Sequence, residues 1–247
     1  MSDTLFIVIP AYNEQAVIRE TVEQWYPLLS KADVGRGSRL VIVDDGSTDD
    51  TYRILQELTA IYPQLDVRTQ ANSGHGATVL HAYRYALEQG ADYVFQTDSD
   101  GQTRPEEFAS LWSKRDDYDM LIGQRIHRED GISRIMVTRI LKNVIRLRFG
   151  VTIEDANTPF RLMKAKRLSK ALPLIPDDFN LSNVVLCAIY AKAGWSIHFE
   201  PISFRPRQGG KNSINLKAIT GIGKHALHDF SSINTEIDKA VKAGDLF

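Results

Sequence analysis

Two carboxylates placed one residue apart are the first feature of this sequence that could do chemistry. Asp98 and Asp100 directly follow a short apolar run, and Gln102 adds an amide two residues later. Three oxygen donors of this kind suit an octahedral Mg²⁺ or Mn²⁺ that carries phosphate groups. A short acidic pair can equally cap a helix or lie solvated in a loop. The spacing alone therefore leaves a metal site and an ordinary loop open.

The residues around this acidic pair predict where it lies. Residues 93–95 are apolar and predict a short buried strand, while Gly101 and Pro105 indicate a turn and a helix start beyond it. The carboxylates would then stand at the C-terminal end of a strand. In open α/β sheets that edge faces the crevice in which ligands bind.

The first half of the chain repeats a pattern of an apolar strand, a polar loop and a helix. The predicted strands cover residues 5–9, which Pro10 ends, and then 39–43, 66–68, 93–95, 120–123, 160–163 and 197–204, the last as an edge strand broken at Pro201. This alternation predicts an α/β fold with a mainly parallel central sheet flanked by helices. Gly74-His75-Gly76 lacks the third glycine of a dinucleotide-binding loop, and no Gly-Lys-Ser/Thr sequence supports a phosphate loop.

Composition limits the class of protein. The 247 residues are 43% hydrophobic, enough for one large domain with a C-terminal appendage, which we expect at residues 1–213 and 214–247. A net charge of -1 predicts no general attraction to nucleic acid. The one cysteine, Cys187, excludes an internal disulfide and fits a reducing compartment. We see no stretch of 18 to 20 apolar residues, so we expect a cytoplasmic protein that is soluble or peripheral on the cytoplasmic membrane face.

Three motifs follow one another along the first half of the chain: Ile9-Pro10-Ala11-Tyr12-Asn13-Glu14, Val43-Asp44-Asp45-Gly46-Ser47-Thr48-Asp49 and Asp98-Ser99-Asp100-Gly101-Gln102. Together they resemble the motifs of family 2 glycosyltransferases with the GT-A (nucleotide-diphospho-sugar transferase) fold. Further residues are similar to the polyprenyl-phosphate, dolichol-phosphate mannose synthase-like branch: Gly123-Gln124-Arg125, Arg134, Asp155 with Phe160-Arg161, and Arg207 with Gly210. Pro159 and Asn212-Ser213 depart from that branch, and these departures bear on the acceptor.

The resemblance assigns roles to individual residues. It implies that the nucleotide-sugar donor is bound by Pro10, Tyr12, Glu14, Val43, Asp45, Asp98 and Ser99. Asp45 would read the base, and Tyr12 would offer an aromatic surface unless it merely packs. Asp100 and Gln102 would bind Mg²⁺ or Mn²⁺ directly, with Asp98 as a ligand or through water. Asp100, Arg125, Arg134 and Arg207 would form the catalytic group, the arginines holding phosphates unless each is a surface salt bridge.

The function implied is an inverting, metal-dependent transfer of a hexose to a polyprenyl (dolichyl or undecaprenyl) phosphate of the cell envelope. A phosphate acceptor is already ionised and needs no strong general base, whereas a hydroxyl does, with Asp155, Asp177 and Asp178 as candidates. Two alternatives stay open. One is a saccharide hydroxyl acceptor for the same donor; the other is an inactive nucleotide-sugar-binding protein.

Two amphipathic segments raise the question of membrane contact. In a helix predicted over residues 133–149, one face carries Val137, Ile140, Leu141, Val144 and Leu147, opposite Arg139, Lys142 and Arg146. The basic face is either solvated or attracted to anionic lipid. Residues 216–230 show helical spacing of apolar and basic side chains, which predicts either a helix in the membrane interface or one packed on the core.

Overall fold

A seven-stranded sheet with helices on both faces organises the chain. The structure is a computed structural model that describes residues 2–30, 34–125, 132–205 and 216–246, without the side chains of 132–140 and 216–229. The strands are β1 Leu5–Ala11, β2 Arg39–Asp44, β3 Leu65–Thr69, β4 Tyr93–Thr97, β5 Met120–Arg125, β6 Phe160–Lys164 and β7 Ile197–Ile202. The α-helices are α1 Ile18–Trp25, α2 Thr51–Thr59, α3 His75–Glu88, α4 Phe108–Ser113, α5 Ile132–Phe149, α6 Ala165–Ala171, α7 Ser182–Lys192 and α8 Leu216–Ala243.

The sheet is mainly parallel, as the alternation of strands and helices predicts. Its order is β3-β2-β1-β4-β6-β5-β7, and β6 alone among the seven runs antiparallel to its neighbours. Because β6 lies between β4 and β5, those two strands point the same way. The C-terminal ends of β1, β2, β4, β5 and β7 therefore reach the same edge of the sheet.

The two prolines expected to interrupt strands lie inside them. Pro10 pairs with Val43 within β1, and Pro201 pairs with Gln124 within β7. Pairing of β1 with β4 stops at Val8, so β1 has a partner on only one side at Pro10 and the missing N–H is tolerated. β7 lies at the sheet edge, where the same reasoning applies.

Each face of the sheet has its own apolar core. Along β1, Phe6 and Val8 pack with α3, α5 and α7, whereas Leu5, Ile7 and Ile9 pack with α1, α2 and α4. This follows from the alternation of side chains along a strand that is covered on both faces. Burying each large aliphatic side chain stabilises the fold by roughly 1.5–3 kcal/mol.

A close backbone contact fixes the start of α3. A Cβ at Gly76 would lie 2.4 Å from the carbonyl oxygens of both Phe179 and Asn180. Real Cβ atoms do not approach backbone this closely, so the position requires glycine. Gly76 therefore belongs to helix packing, and it places the N-terminus of α3 against the segment that leads into α7.

The predicted apolar face of α5 is wrong at Leu147, which is 83% exposed. The buried residues are Ile145 and Phe149, with Leu141 and Val144 partly buried beside them. Leu147 lies about 200° around the helix from Ile145, so it points away from that stripe. Lys142 and Arg146 are exposed. Arg139, Val137 and Ile140 lie outside the described side chains.

The described part of α8 packs on the core. Phe230, Ile233 and Ile237 are buried in the same cluster as Phe149 of α5. The proposed division of the chain at residue 213 stays a prediction, since residues 206–215 lie outside the described part. None of the described helices combines the length and the apolar content that spanning a bilayer requires.

Candidate functional site

Three polar loops meet at the C-terminal edge of the sheet, one after each of the adjacent strands β2, β1 and β4. The loop after β1 begins with Tyr12, the loop after β2 with Asp45, and the loop after β4 with Asp98. Parallel strands deliver their C-terminal ends to one edge, so these loops become neighbours although they are far apart in sequence. The structure thus brings the three sequence motifs together.

Hydrogen bonds join these loops. The Asn13 backbone N–H donates to Ser47 Oγ at 2.9 Å, and Asn13 Oδ1 accepts from the Thr48 backbone N–H at 2.8 Å. Asn13 has a positive φ of 54°, a conformation that asparagine tolerates better than most residues. Thr21 Oγ1 donates to the Ser99 carbonyl at 3.0 Å, which ties the β4 loop to α1. The loops after β1 and β2 are therefore hydrogen-bonded to each other, and the loop after β4 is hydrogen-bonded to the helix that follows β1.

The predicted metal ligands lie in one tight turn. Gly101 has a φ of 71°, and the Gln102 backbone N–H donates to Asp100 Oδ1 at 3.1 Å. Gln102 Nε2 donates to the Arg205 carbonyl at 3.0 Å, so its amide oxygen is the atom left to act as a ligand. Asp100 and Gln102 are buried, whereas the Asp98 side chain is 24% exposed. The turn thus combines sheltered oxygen donors with solvent access.

This donor set fits a divalent cation of the Mg²⁺ type. Among the described residues no group of three or more His, Cys, Asp or Glu side chains forms a metal cage. Mg²⁺ usually needs no such cage, because it keeps several waters and binds one or two carboxylates plus substrate phosphates. Asp98, Asp100 and the Gln102 amide match that pattern. Their role as ligands stays a prediction.

Asp45 is buried and holds the neighbouring loop. Its Oδ1 accepts from Gln70 Nε2 and the Ser73 backbone N–H, both at 2.9 Å, and its Oδ2 accepts from the Gly74 backbone N–H at 2.9 Å. Burial alone would raise the pKa of Asp45, but these hydrogen bonds outweigh burial and lower it. Asp45 therefore organises residues 70–74 as an anion. A hydrogen bond from a nucleotide base would have to share this carboxylate with the hydrogen bonds that hold the loop.

The other predicted donor-binding residues differ in accessibility. Tyr12 is 47% exposed at the edge, so its ring is open to a ligand and is not used in core packing. The Glu14 backbone carbonyl accepts the first N–H groups of α1, and its side chain is buried. Pro10 and Ser99 are buried near the same edge. Val43 is fully buried in the core, which leaves only its backbone to face a ligand.

Of the three arginines predicted to be catalytic, Arg125 is the one whose side chain lies in the described part of the chain. Its Nε and Nη2 donate to Asp155 Oδ2 and Oδ1 at 2.9 and 2.8 Å, and its guanidinium lies 5.1 Å from the Phe204 ring centre. Arg125 therefore makes a buried bidentate ion pair rather than a surface salt bridge. Arg134 lies in α5 among the side chains outside the described part, and Arg207 lies outside the described residues.

Three residues at this edge escaped sequence reasoning. His75, the first residue of α3, places Nε2 3.8 Å from Asp98 Oδ1. Gln96 Nε2 donates to the same oxygen at 3.1 Å, and Asn183 Nδ2 donates to Gln96 Oε1. His75 lies in the segment after the parallel strand β3, and such segments meet at the C-terminal edge of the sheet, so His75 could have been predicted to lie there. Gln96 is the polar residue in an apolar strand and could have been noticed, whereas Asn183 gave no signal.

Comparison with known proteins places the chain in a family. The family model described as "Glycosyl transferase family 2" matches residues 6–177. A UDP-N-acetylglucosamine–dolichyl-phosphate N-acetylglucosaminyltransferase of Methanococcus voltae is 28% identical over 58% of this chain and 61% of that protein. An undecaprenyl-phosphate 4-deoxy-4-formamido-L-arabinose transferase of Shewanella sediminis is 26% identical over 72% of this chain and 56% of that protein.

A further relative matches more of the chain. A dolichol-phosphate mannosyltransferase of Pyrococcus furiosus is 27% identical over 96% of this chain and 66% of that protein. The chain thus spans about 56% to 66% of the length of these relatives.

Solved structures confirm the GT-A fold. Glucosyl-3-phosphoglycerate synthase from Mycobacterium tuberculosis, bound to Mn²⁺ and UDP-glucose, superposes with a TM-score of 0.68 at 20% identity, covering 93% of this chain and 79% of that chain. Its complex with phosphoglyceric acid gives a TM-score of 0.69 at 21% identity, covering 93% of this chain and 80% of the other. The family model matches residues 6–177, and the three motifs meet at one edge of a GT-A sheet. The chain therefore belongs to glycosyl transferase family 2.

Proposed function

We propose that this protein transfers a hexose from a nucleotide-diphosphate sugar to a polyprenyl phosphate, with inversion at the anomeric carbon. The observation that carries the proposal is that Tyr12, Asp45 and the turn from Asp98 to Gln102 lie together at the C-terminal edge of the sheet, each after one of three adjacent strands. The named relatives act on dolichyl or undecaprenyl phosphate, which supports the acceptor. The structural neighbour bound to UDP-glucose and Mn²⁺ supports the donor class and the metal.

The chemistry of transfer follows from the groups at this edge. An oxygen of the lipid phosphate forms a bond to the anomeric carbon as the bond from that carbon to the nucleotide diphosphate breaks, and the nucleoside diphosphate leaves. Bound Mg²⁺ or Mn²⁺ would neutralise charge on the departing diphosphate. Tyr12 would face the nucleotide, and Asp98, Asp100 and Gln102 would hold the ion.

The placement of the candidate bases is compatible with an acceptor that is already ionised. Asp155 is committed to its bidentate pair with Arg125. Asp177 is exposed and pairs with Arg84 on α3 at 2.6 Å. Asp155 and Asp177 are thus each paired with an arginine, whereas Asp178 is exposed next to Asp177. A phosphate acceptor needs no strong general base near neutral pH, so the buried pair of Asp155 with Arg125 is compatible with a polyprenyl-phosphate acceptor, for which the named relatives are the main support.

The test is a transfer assay with radiolabelled donor, Mn²⁺ and a polyprenyl phosphate, followed by organic extraction. We expect label in the organic phase. Asp100→Ala should lower transfer by roughly 100- to 1,000-fold, the range for removing one electrostatic group from an active site. The protein should stay folded, with only a small fall in melting temperature from the lost acceptor of the Gln102 N–H. Glu106→Ala, which removes an exposed carboxylate from the next helical turn, is the matched control and should be fully active.

Other outcomes separate the alternatives. Label appearing only on a water-soluble saccharide would favour the hydroxyl acceptor. No transfer and no donor hydrolysis with Mn²⁺ would favour an inactive binding protein and refute the proposal. Unchanged turnover of Asp100→Ala at saturating metal would remove Asp100 from the site. Sedimentation with anionic and neutral liposomes would test the peripheral, cytoplasmic-face membrane contact, which anionic lipid should strengthen.

A further inference from the structure

A buried amide on β4 contacts the first carboxylate of the candidate metal site. The Gln96 side chain is fully buried, and it faces the same core as Val94. Its Nε2 donates to Asp98 Oδ1 at 3.1 Å. Burying an amide in an apolar core is costly unless its polar atoms are hydrogen-bonded. The presence of glutamine here therefore calls for a reason beyond packing.

Two helices and the neighbouring strand hold the other end of this amide. Gln96 Oε1 accepts from Asn183 Nδ2 on α7 at 3.2 Å and from the Tyr83 hydroxyl on α3 at 3.3 Å. Asn183 Oδ1 lies 3.2 Å from the same hydroxyl, and the Asn183 carbonyl accepts from Arg161 Nη1 at 3.1 Å. Arg161 also faces Gln96 across the β4–β6 pair. The amide thus has a partner for each of its two polar atoms.

The donors and acceptors of these side chains permit only one orientation of the hydrogen bonds from Asp98 to Tyr83. A carboxylate that binds a metal is ionised and only accepts, so Gln96 must present its N–H group to Asp98 and its oxygen to the interior. Asn183 must then turn its amino group to that oxygen and its own oxygen to Tyr83. Burial raises the pKa of Tyr83, so its hydroxyl keeps the proton it shares with the two amide oxygens.

We infer that Gln96 is a positioning residue that orients the Asp98 carboxylate for the metal, and that Asn183 and Tyr83 orient Gln96. The inference rests on the proposed metal site. A neutral amide can hold Asp98 Oδ1 and leave the negative charge of the carboxylate available to attract the cation. An arginine or lysine at this position would cancel that charge. Partners of metal ligands commonly change metal affinity by about 10- to 100-fold when they are mutated.

The experiment measures binding of Mn²⁺ alone to the full chain, from the loss of the electron paramagnetic resonance signal of free Mn²⁺. Gln96→Met keeps the length of the side chain and removes its N–H donor, so we expect Mn²⁺ affinity to fall by about 10- to 100-fold. Asn183→Asp leaves Asp98 and Gln96 in place. Its new carboxylate should attract the Gln96 amino group inward and turn the amide oxygen towards Asp98, which should also weaken Mn²⁺ binding.

Val79→Ala is the matched control, because Val79 is fully buried on α3 in the same core cluster. It should lower the melting temperature and leave Mn²⁺ affinity unchanged. Wild-type Mn²⁺ affinity in either folded variant would overturn the inference, and Asn183→Asp decides it if Gln96→Met does not fold. Failure of the wild-type protein to bind Mn²⁺ at millimolar concentration is a distinct result that would refute the metal site itself.

Discussion

The ion pair between Arg125 and Asp155 allows a structural role and a substrate role to be separated by mutation. The sequence predicts that Arg125 holds a phosphate, whereas the structure shows two hydrogen bonds from its guanidinium to Asp155. Three variants address this difference: Arg125→Met, Asp155→Asn, and the double variant. The double variant replaces a charged pair with two neutral side chains of similar size.

The expected loss of stability follows from burial. The Arg125 and Asp155 side chains are 11% and 5% exposed, so Arg125→Met leaves a carboxylate in a poorly solvated place. Removing one partner of a buried pair costs about 3–5 kcal/mol. Asp155 has at least one further interaction, which favours the lower end, about 3 kcal/mol. In a chain of this size that corresponds to a fall of about 6–12 °C in Tm.

The assay combines thermal and urea unfolding with initial transfer rates measured well below the lowest Tm. We expect the double variant to recover more than half of the stability lost in Arg125→Met, because no uncompensated buried charge remains. If Arg125 also binds phosphate, the double variant stays impaired in transfer while Asp155→Asn retains more activity. A Tm of Arg125→Met equal to that of the wild type would refute the reasoning about the pair. Full activity of the double variant would remove Arg125 from the site.

Two further predictions concern stability. Hydrogen bonds from Lys114 and Ser110 lower the pKa of Glu200 to about 2, so this carboxylate stabilises the fold above its unfolded pKa of about 4.3, and the contribution is lost as pH falls towards 2. The Tm difference between wild type and Glu200→Gln should be largest above about pH 5 and vanish near pH 2; a difference independent of pH would contradict this. Phe230→Ala should cost about 3–5 kcal/mol in urea unfolding, because the Phe230 ring is buried 5.2 Å from that of Phe149. Leu147→Ala removes an exposed side chain and should lower the free energy of unfolding by under about 0.5 kcal/mol. A loss of unfolding free energy in Phe230→Ala as small as that in Leu147→Ala would show that α8 is not part of the core.

The fold and the sheet edge at which the three loops meet were predictable because they depend on local patterns. Short apolar runs, broken by glycine and polar loops, identify most of the strands, and their alternation with amphipathic helices predicts a mainly parallel sheet. The edge rule then brings the loops at Tyr12, Asp45 and Asp98 together without any coordinates. The motif resemblance identified the family that the comparisons confirm.

What the side chains contact at that edge depended on the tertiary structure. Asp155 lies 30 residues from Arg125, and Asn183 lies 87 residues from Gln96. No local pattern links such pairs, since they meet only because β6 enters the sheet antiparallel between β4 and β5 and α7 packs beneath β4. The same holds for Asp45, whose hydrogen bonds to residues 70–74 cross from the β2 loop to the loop before α3.

The burial of Ile145 in place of Leu147 shows the same division on a smaller scale. The sequence by itself predicted a helix over residues 133–149, and the structure has one at Ile132–Phe149, because helical propensity and apolar spacing are properties of the segment. Which stripe of that helix is buried depends on the elements that cover it, here α7 and α8. Local sequence patterns therefore determined the helices, the strands and the sheet edge at which the three loops meet. Long-range packing determined the partner of each charged group, because burying a polar group without a hydrogen-bond partner costs free energy.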